Sequence, residues 1–192
     1  MNSVLQSSPL IDKFKLRLEA VGGRFEHVSG KEEALALVLD LLRQEGVADT
    51  AEDAAVWADG SLLTAENKER LAAAVPGIRF DVTRAQVAKA KVGISQLEWG
   101  LANTGTLVQA ADAVDTRLVS SLPMLHIALA PTAGVLPDLP AVLEKVHPEK
   151  AAYLAFITGP SRTSDIERVL TIGVHGPERL IVILVDELEV AL

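Results

Sequence analysis

The chain of 192 residues contains no cysteine. That excludes a disulfide frame, a thiolate nucleophile and a cysteine-ligated iron–sulfur cluster on these residues, and it permits a reducing compartment. Runs of lysine or arginine are missing too, and the formal net charge is -8. Phosphate-backbone binding needs grouped cations, so nucleic acid is not an expected partner. Apolar runs such as Leu180 to Val185 fall far short of the roughly 20 residues of a membrane helix, and the N-terminal MNSVLQSSPLIDKFK lacks an apolar secretory segment. A cytoplasmic protein without a membrane span is the expectation. The nucleophile-elbow, P-loop and dinucleotide-fingerprint patterns do not occur, which withdraws the usual support from hydrolase, NTPase and dinucleotide readings. None of His27, His126, His147 and His175 has a second ligand at zinc-motif spacing, so no protein-bound metal is expected.

What is present is the composition of a folded globule, 49% apolar and 23% charged. We read one α/β domain over residues 1–192, with 1–22 as an N-terminal helical extension. Hydrophobic periodicity alternates between helix-like and strand-like segments, which points to a layered α/β/α sandwich with a mainly parallel sheet. A helix near Pro9 to Ala20 precedes a strand at Arg24 to Val28. Ser29-x-x-Glu32 reads as a capping box opening a helix to Gln44, with Ala34, Leu35, Val38, Leu41 and Leu42 on its core side. The alternation continues with a strand at Ala54 to Ala58, a helix at Thr64 to Ala74, a strand at Ile78 to Val82 and a helix opened by Thr83-x-x-Gln86. A strand at Val92 to Ser95 comes next, and Ser95-x-x-Glu98 reads as the box of another brief helix. Leu125 to Ala130, Ala152 to Thr158 and Leu180 to Val185 are apolar at consecutive positions, as strands covered on both faces are. Pro137 to Val146 and Ser164 to Ile172 stand where crossover helices belong, and Thr106 to Ala110 is expected to pair with Arg117 to Ser121 as a hairpin.

Three segments place polar groups where chemistry could occur. The first runs from Ile157 to Glu167, a strand, a Gly-Pro turn and a helix start. It brings Gly159, Ser161, Arg162 and Thr163 to a strand's carboxyl end, where unpaired N–H groups and a guanidinium favour an anion. Turn and cap chemistry, with Arg162 paired to Asp165 or Glu167, is the competing reading. The second is Gly173 to Pro177, whose His175 is either a proton shuttle or a helix-terminal partner for free carbonyls. The third is Thr104-Gly105-Thr106, where a glycine flanked by hydroxyls permits either a tight turn or close approach to a ligand. His126, within an apolar run, reads as a hydrogen-bonded core residue.

The segments ITGPSRTSDIERVLTIGVHGP from Ile157 to Pro177, NTGTLV from Asn103 to Val108, and RLVSSLPMLHIAL from Arg117 to Leu129 resemble the LUD-domain family, specifically its short lactate-utilization protein C type. The resemblance implies the fold shared by sugar-phosphate isomerases and CoA-transferases. It also implies a place in the oxidation of L-lactate to pyruvate, beside iron–sulfur oxidoreductase subunits that would carry the cofactors this chain lacks. A small anionic ligand would then sit at Thr104, Gly105, Thr106, Gly159, Ser161, Arg162 and Thr163. The family usually has glutamate where this sequence has Asn103, so a carboxylate role there is missing. For an independent isomerase or CoA-transferase-like enzyme, the acid–base candidates are His175, Asp165 and Glu167. A ligand-binding regulatory module without chemistry is the remaining alternative.

Overall fold

A computed structural model describes residues 8–146, 151–163, 171–173 and 175–190. Helix α1 (Pro9–Ala20) and strand β1 (Arg24–Val28) are followed by α2 (Lys31–Gln44), β2 (Ala55–Trp57), α3 (Ala65–Ala74), β3 (Ile78–Arg79), α4 (Arg84–Val87) and β4 (Val92–Gln96). Then come β5 (Trp99–Leu101), β6 (Thr106–Ala110), α5 (Val114–Ser121), β7 (Leu125–Pro131), β8 (Val135–Leu136), α6 (Leu139–Leu143), β9 (Leu154–Ile157), β10 (Arg162–Thr163), β11 (Thr171–Ile172) and β12 (Arg179–Val185).

Local chemistry sets several of these boundaries. Ser8 caps α1 by accepting the Ile11 N–H, and Pro9 supplies the preset φ of the first helical position. Ile11, Phe14 and Leu18 then recur on one face and are buried. The core side of α2 is the expected one, Ala34, Leu35, Val38, Leu41 and Leu42. Its start falls one residue later than the sequence suggests. Gly30 holds the cap position, and the carboxylate reaching back belongs to Glu33, which accepts the Ser29 and Gly30 N–H groups. Glu32 instead points outward and pairs with Arg70.

Strands β1, β12, β7, β4, β2 and β3 form, in that order, one wholly parallel sheet. Side-chain alternation gives it two apolar faces. Ile94, Leu125, Ile127, Leu129, Ile181 and Ile183 pack under α2 and α3. On the opposite face Ala128, Val182 and Leu184 meet Phe14 and Leu18 of α1 and Leu107 of β6, while Val56 and Ala58 meet Val87 of α4 and Val119 of α5. The result is the three-layer arrangement, with one outer layer built partly from a smaller sheet in the order β8, β5, β6, β9.

Three sequence expectations are corrected here. Ser95-x-x-Glu98 opens no helix, because Ser95 is buried inside β4 and the chain continues as β5. Arg117 to Ser121 belongs to helix α5, and β6 pairs with β5 and β9 instead. The apolar run at Ala152 to Thr158 supplies β9 of the smaller sheet, with Phe156 exposed, rather than a doubly covered strand. The expected crossover helix at Ser164 to Ile172 lies mostly outside the described residues. Its last two residues form β11, antiparallel to β10.

Helix α5 approaches the sheet where β4 carries Gly93: a Cβ built there would lie 2.0 Å from the Val119 carbonyl oxygen. Gly93→Ala should therefore destabilise by about 1–3 kcal/mol, the usual cost of overpacking. Urea unfolding measures this, and an unchanged midpoint would show that α5 does not depend on the approach.

Candidate functional site at the carboxyl edge of the sheet

Ligands of open parallel sheets settle outside the carboxyl ends of the strands, where consecutive connections leave toward opposite faces. In this chain that divergence falls between β2 and β4. The connection after β2 leads to α3 on one face, and the connection after β4 leads to the smaller sheet on the other. Between them the Ser61 N–H and hydroxyl both donate to Gln96 Oε1, each at 3.1 Å. Gly60 sits against the same amide, its missing Cβ 3.0 Å from Gln96 Oε1. A backbone N–H and a hydroxyl converging on one oxygen form a fork that would accept a ligand carboxylate or carbonyl oxygen equally well.

Further along the edge, β1, β12 and β7 bring together a second group. His27 Nε2 donates to Asp186 Oδ1 at 2.7 Å, and the Thr132 hydroxyl lies 3.3 Å from the same nitrogen. The imidazole is mostly covered, while Asp186 is solvent-facing. Such a pairing fixes the orientation of the ring. Nothing in the sequence announces it, since the three residues are separated by more than fifty positions and meet only through strand order.

Glu98 leaves β4 just after Gln96 and turns the other way, accepting the Ala110 N–H at 2.6 Å. Burial pushes its carboxyl up to about 7, against the smaller lowering effect of the backbone hydrogen bonds. A carboxyl that exchanges its proton near neutrality suits general acid–base work. Below the edge, Gln109 Nε2 donates to Ser95 Oγ at 3.0 Å and to the Gln96 carbonyl at 3.3 Å, and Ser95 Oγ lies 2.9 Å from His126 Nε2. Ser95 Oγ, already accepting from the Gln109 amide, can donate to His126 Nε2 or accept a second hydrogen bond from it, according to the imidazole tautomer. His126 Nδ1 and Gln109 Oε1 are buried without hydrogen-bond partners among the described residues. Burial lowers the imidazole to about 4. Although serine and histidine stand at nucleophile–base distance, both are 0% exposed, so the pair serves the core and no substrate reaches it.

The two hydroxyl-bearing segments singled out from the sequence do meet. Thr104 Oγ1 lies 2.8 Å from Thr106 Oγ1, which lies 2.8 Å from Thr158 Oγ1, at one end of the smaller sheet. Both loops abut the end of α1. Gly105, at φ +69°, would place a Cβ 2.3 Å from the Leu18 nitrogen, and Gly159, at φ +72°, would place one 2.6 Å from the Val21 carbonyl oxygen. Arg162 donates to that Val21 carbonyl. Ser161 is held through its backbone, donating to the Pro177 carbonyl and accepting from Gly173. The threonines and Arg162 thus have partners within the fold. Of Thr163 only the backbone is described, in β10. Asn103 is exposed in the turn between β5 and β6. His175 is exposed, and Asp165, Glu167 and His147 lie outside the described residues. Among the described residues no group of three His, Cys, Asp or Glu is arranged to hold a metal ion, and no helix is long and apolar enough to cross a membrane.

Comparison with known proteins places this architecture. A model of the LUD domain family matches residues 11–185. The chain belongs to the LUD domain family. The LUD protein named Lactate utilization protein C from Exiguobacterium sp. is 33% identical over 145 residues, 67% of this chain and 63% of its own length. Lactate utilization protein C 1 from Bacillus mycoides is 36% identical over 104 residues, 51% of this chain and 44% of its own. The chain therefore spans between about half and just under two thirds of these relatives. A crystal structure of a DUF162 family protein from Deinococcus radiodurans superposes with a TM-score of 0.61 at 18% identity, covering 95% of this chain and 99% of that one. It shares the fold.

Two opposite pH dependences follow from burial. Glu98 is raised in the folded state, so its contribution to stability is complete below pH 4.5 and is lost as pH rises through about 7. E98Q keeps an acceptor for Ala110 and should gain up to about 3 kcal/mol over the parent near pH 8, and little near pH 4. His126 is depressed, so its contribution is complete above pH 6.5 and is lost as pH falls through about 4. Denaturation midpoints across this range measure both. An E98Q gain independent of pH would show that the carboxyl is not buried as described.

Proposed function

We propose that this LUD chain is a cytoplasmic, non-redox component of an iron–sulfur system that oxidises L-lactate to pyruvate, and that it holds a small organic anion at the carboxyl edge of its sheet. The observation that carries the reading is the likeness to relatives named Lactate utilization protein C, at 33% identity across 145 residues. With no cysteine to offer a cluster, the electrons would travel on iron–sulfur partner subunits. Geometry supports the anion at the Ser61 fork, where Gln96 Oε1 occupies the place of a ligand oxygen. Lactate and pyruvate each present such an oxygen.

The test joins the full chain to the iron–sulfur oxidoreductase subunits of an L-lactate-oxidising system. We expect co-purification, and lactate-dependent reduction of an electron acceptor that falls when the chain is left out. Thermal shift with lactate or pyruvate at about 100 times the dissociation constant should show about 2.7 kcal/mol of stabilisation, and S61A should weaken it. Absence of co-purification together with an unchanged rate would sink the proposal.

Glu98 favours a second reading, an independent isomerase or CoA-transferase-like enzyme, because it supplies the near-neutral acid–base group such chemistry requires. On that reading turnover has a limb near pH 7 that E98Q removes. Turnover unchanged in E98Q would retire it.

A further inference from the structure

A cleft of about 450 Å³ opens at the outer margin of the sheet, beside β3 and away from the carboxyl-edge groups already described. Its volume is that of a small-molecule site. The floor is apolar, made by Ala54 and Val56, with Val56 in register beside Arg79 on β3. Around it stand Arg79, Lys89, Gln86 and Asp49. The polar groups are unevenly committed. Gln86 turns its amide oxygen to the Thr83 N–H and hydroxyl, completing the cap of α4, which leaves its NH2 as a donor. Lys89 has no ion-pair partner among the described residues. Arg79 gives one nitrogen to Asp49 at 2.6 Å.

Asp49 is the only acid among the residues lining the cleft, and its side chain is 64% exposed. An ion pair this open contributes at most about 1 kcal/mol, so a competing anion displaces it at little cost. Two cations and an amide donor therefore face one loosely held carboxylate, in a chain whose net charge is -8. The excess of donors calls for an oxyanion, and the methyl-lined floor calls for a short apolar body attached to it.

We infer that this cleft is a second binding site, separate from the carboxyl edge, for a small organic oxyanion with a short apolar tail. Its head, a carboxylate or a phosphate monoester, takes Arg79 and Lys89, and Asp49 occupies the arginine when the ligand is absent. The occupant is thus bound in competition with the chain's own carboxylate.

Calorimetric titration of the full chain with butyrate and with butyl phosphate tests this and separates the two head groups. Inorganic phosphate serves as the head-only control and butanol as the tail-only control. At least one of the two amphiphilic anions should saturate at one per chain and bind more tightly than either control. R79Q should weaken it about tenfold or more, as loss of a charge-assisted contact does. D49N should tighten it several-fold by removing the internal competitor. R84Q, which changes a nearby cation outside the cleft, and S61A, at the carboxyl edge, should leave it unchanged. All four side chains are exposed or near the surface, and matching thermal midpoints would establish that the variants fold. No saturable binding of either anion, affinity indifferent to R79Q, weakening in D49N, or an equal loss in R84Q would each overturn the assignment.

Discussion

Strands β4, β7 and β12 are buried on both faces along almost their whole length, and a parallel sheet so apolar must be covered on each side. Every connection between its strands therefore has to choose a face. Helices α2 and α3 take one, while α1, α4, α5 and the smaller sheet take the other. The divergence after β2 and β4 is a consequence of that choice. It leaves the backbone of Ser61 and the side chain of Gln96 facing each other just beyond the point where β2 and β4 stop pairing.

Burial also decides what the ionisable groups can do. His126 and Glu98 are both driven toward their neutral forms, one by complete enclosure beneath the smaller sheet and the other by partial enclosure near its border. The first keeps a serine at hydrogen-bond distance but admits no substrate. The second stays close enough to the edge to exchange a proton. Two polar atoms between the two sheets, on His126 and Gln109, have no hydrogen-bond partner among the described residues; each such atom costs about 1–3 kcal/mol, which the large apolar faces around them must offset.

Much of the fold was legible because its signals are local. The Thr83–Gln86 box marks a helix start through bonds spanning three residues, and the continuous apolar runs of β7 and β12 announce buried strands. Where the signal depended on distant neighbours, local reading failed. Ser95 and Glu98 have the spacing of a cap, yet Ser95 is claimed by His126, thirty-one residues away, and Glu98 by Ala110. The apolar run of β9 looked like a central strand, but it borders the smaller sheet. The N-terminus of α2 shows the same limit, since the Lys31 N–H is satisfied by Glu187 from the far end of the chain.

Sequence by itself determined the alternation of elements, the core side of α2, the family and the exclusion of thiolate chemistry, because each rests on residue type or on spacing within a few turns. It also named the two hydroxyl segments that meet beside α1. Tertiary structure alone decided that His27, Asp186 and Thr132 share one edge, that Ser61 faces Gln96, and that Arg162 reaches the end of α1. Strand order sets those meetings, and strand order depends on how two apolar faces are covered, which no stretch of sequence records.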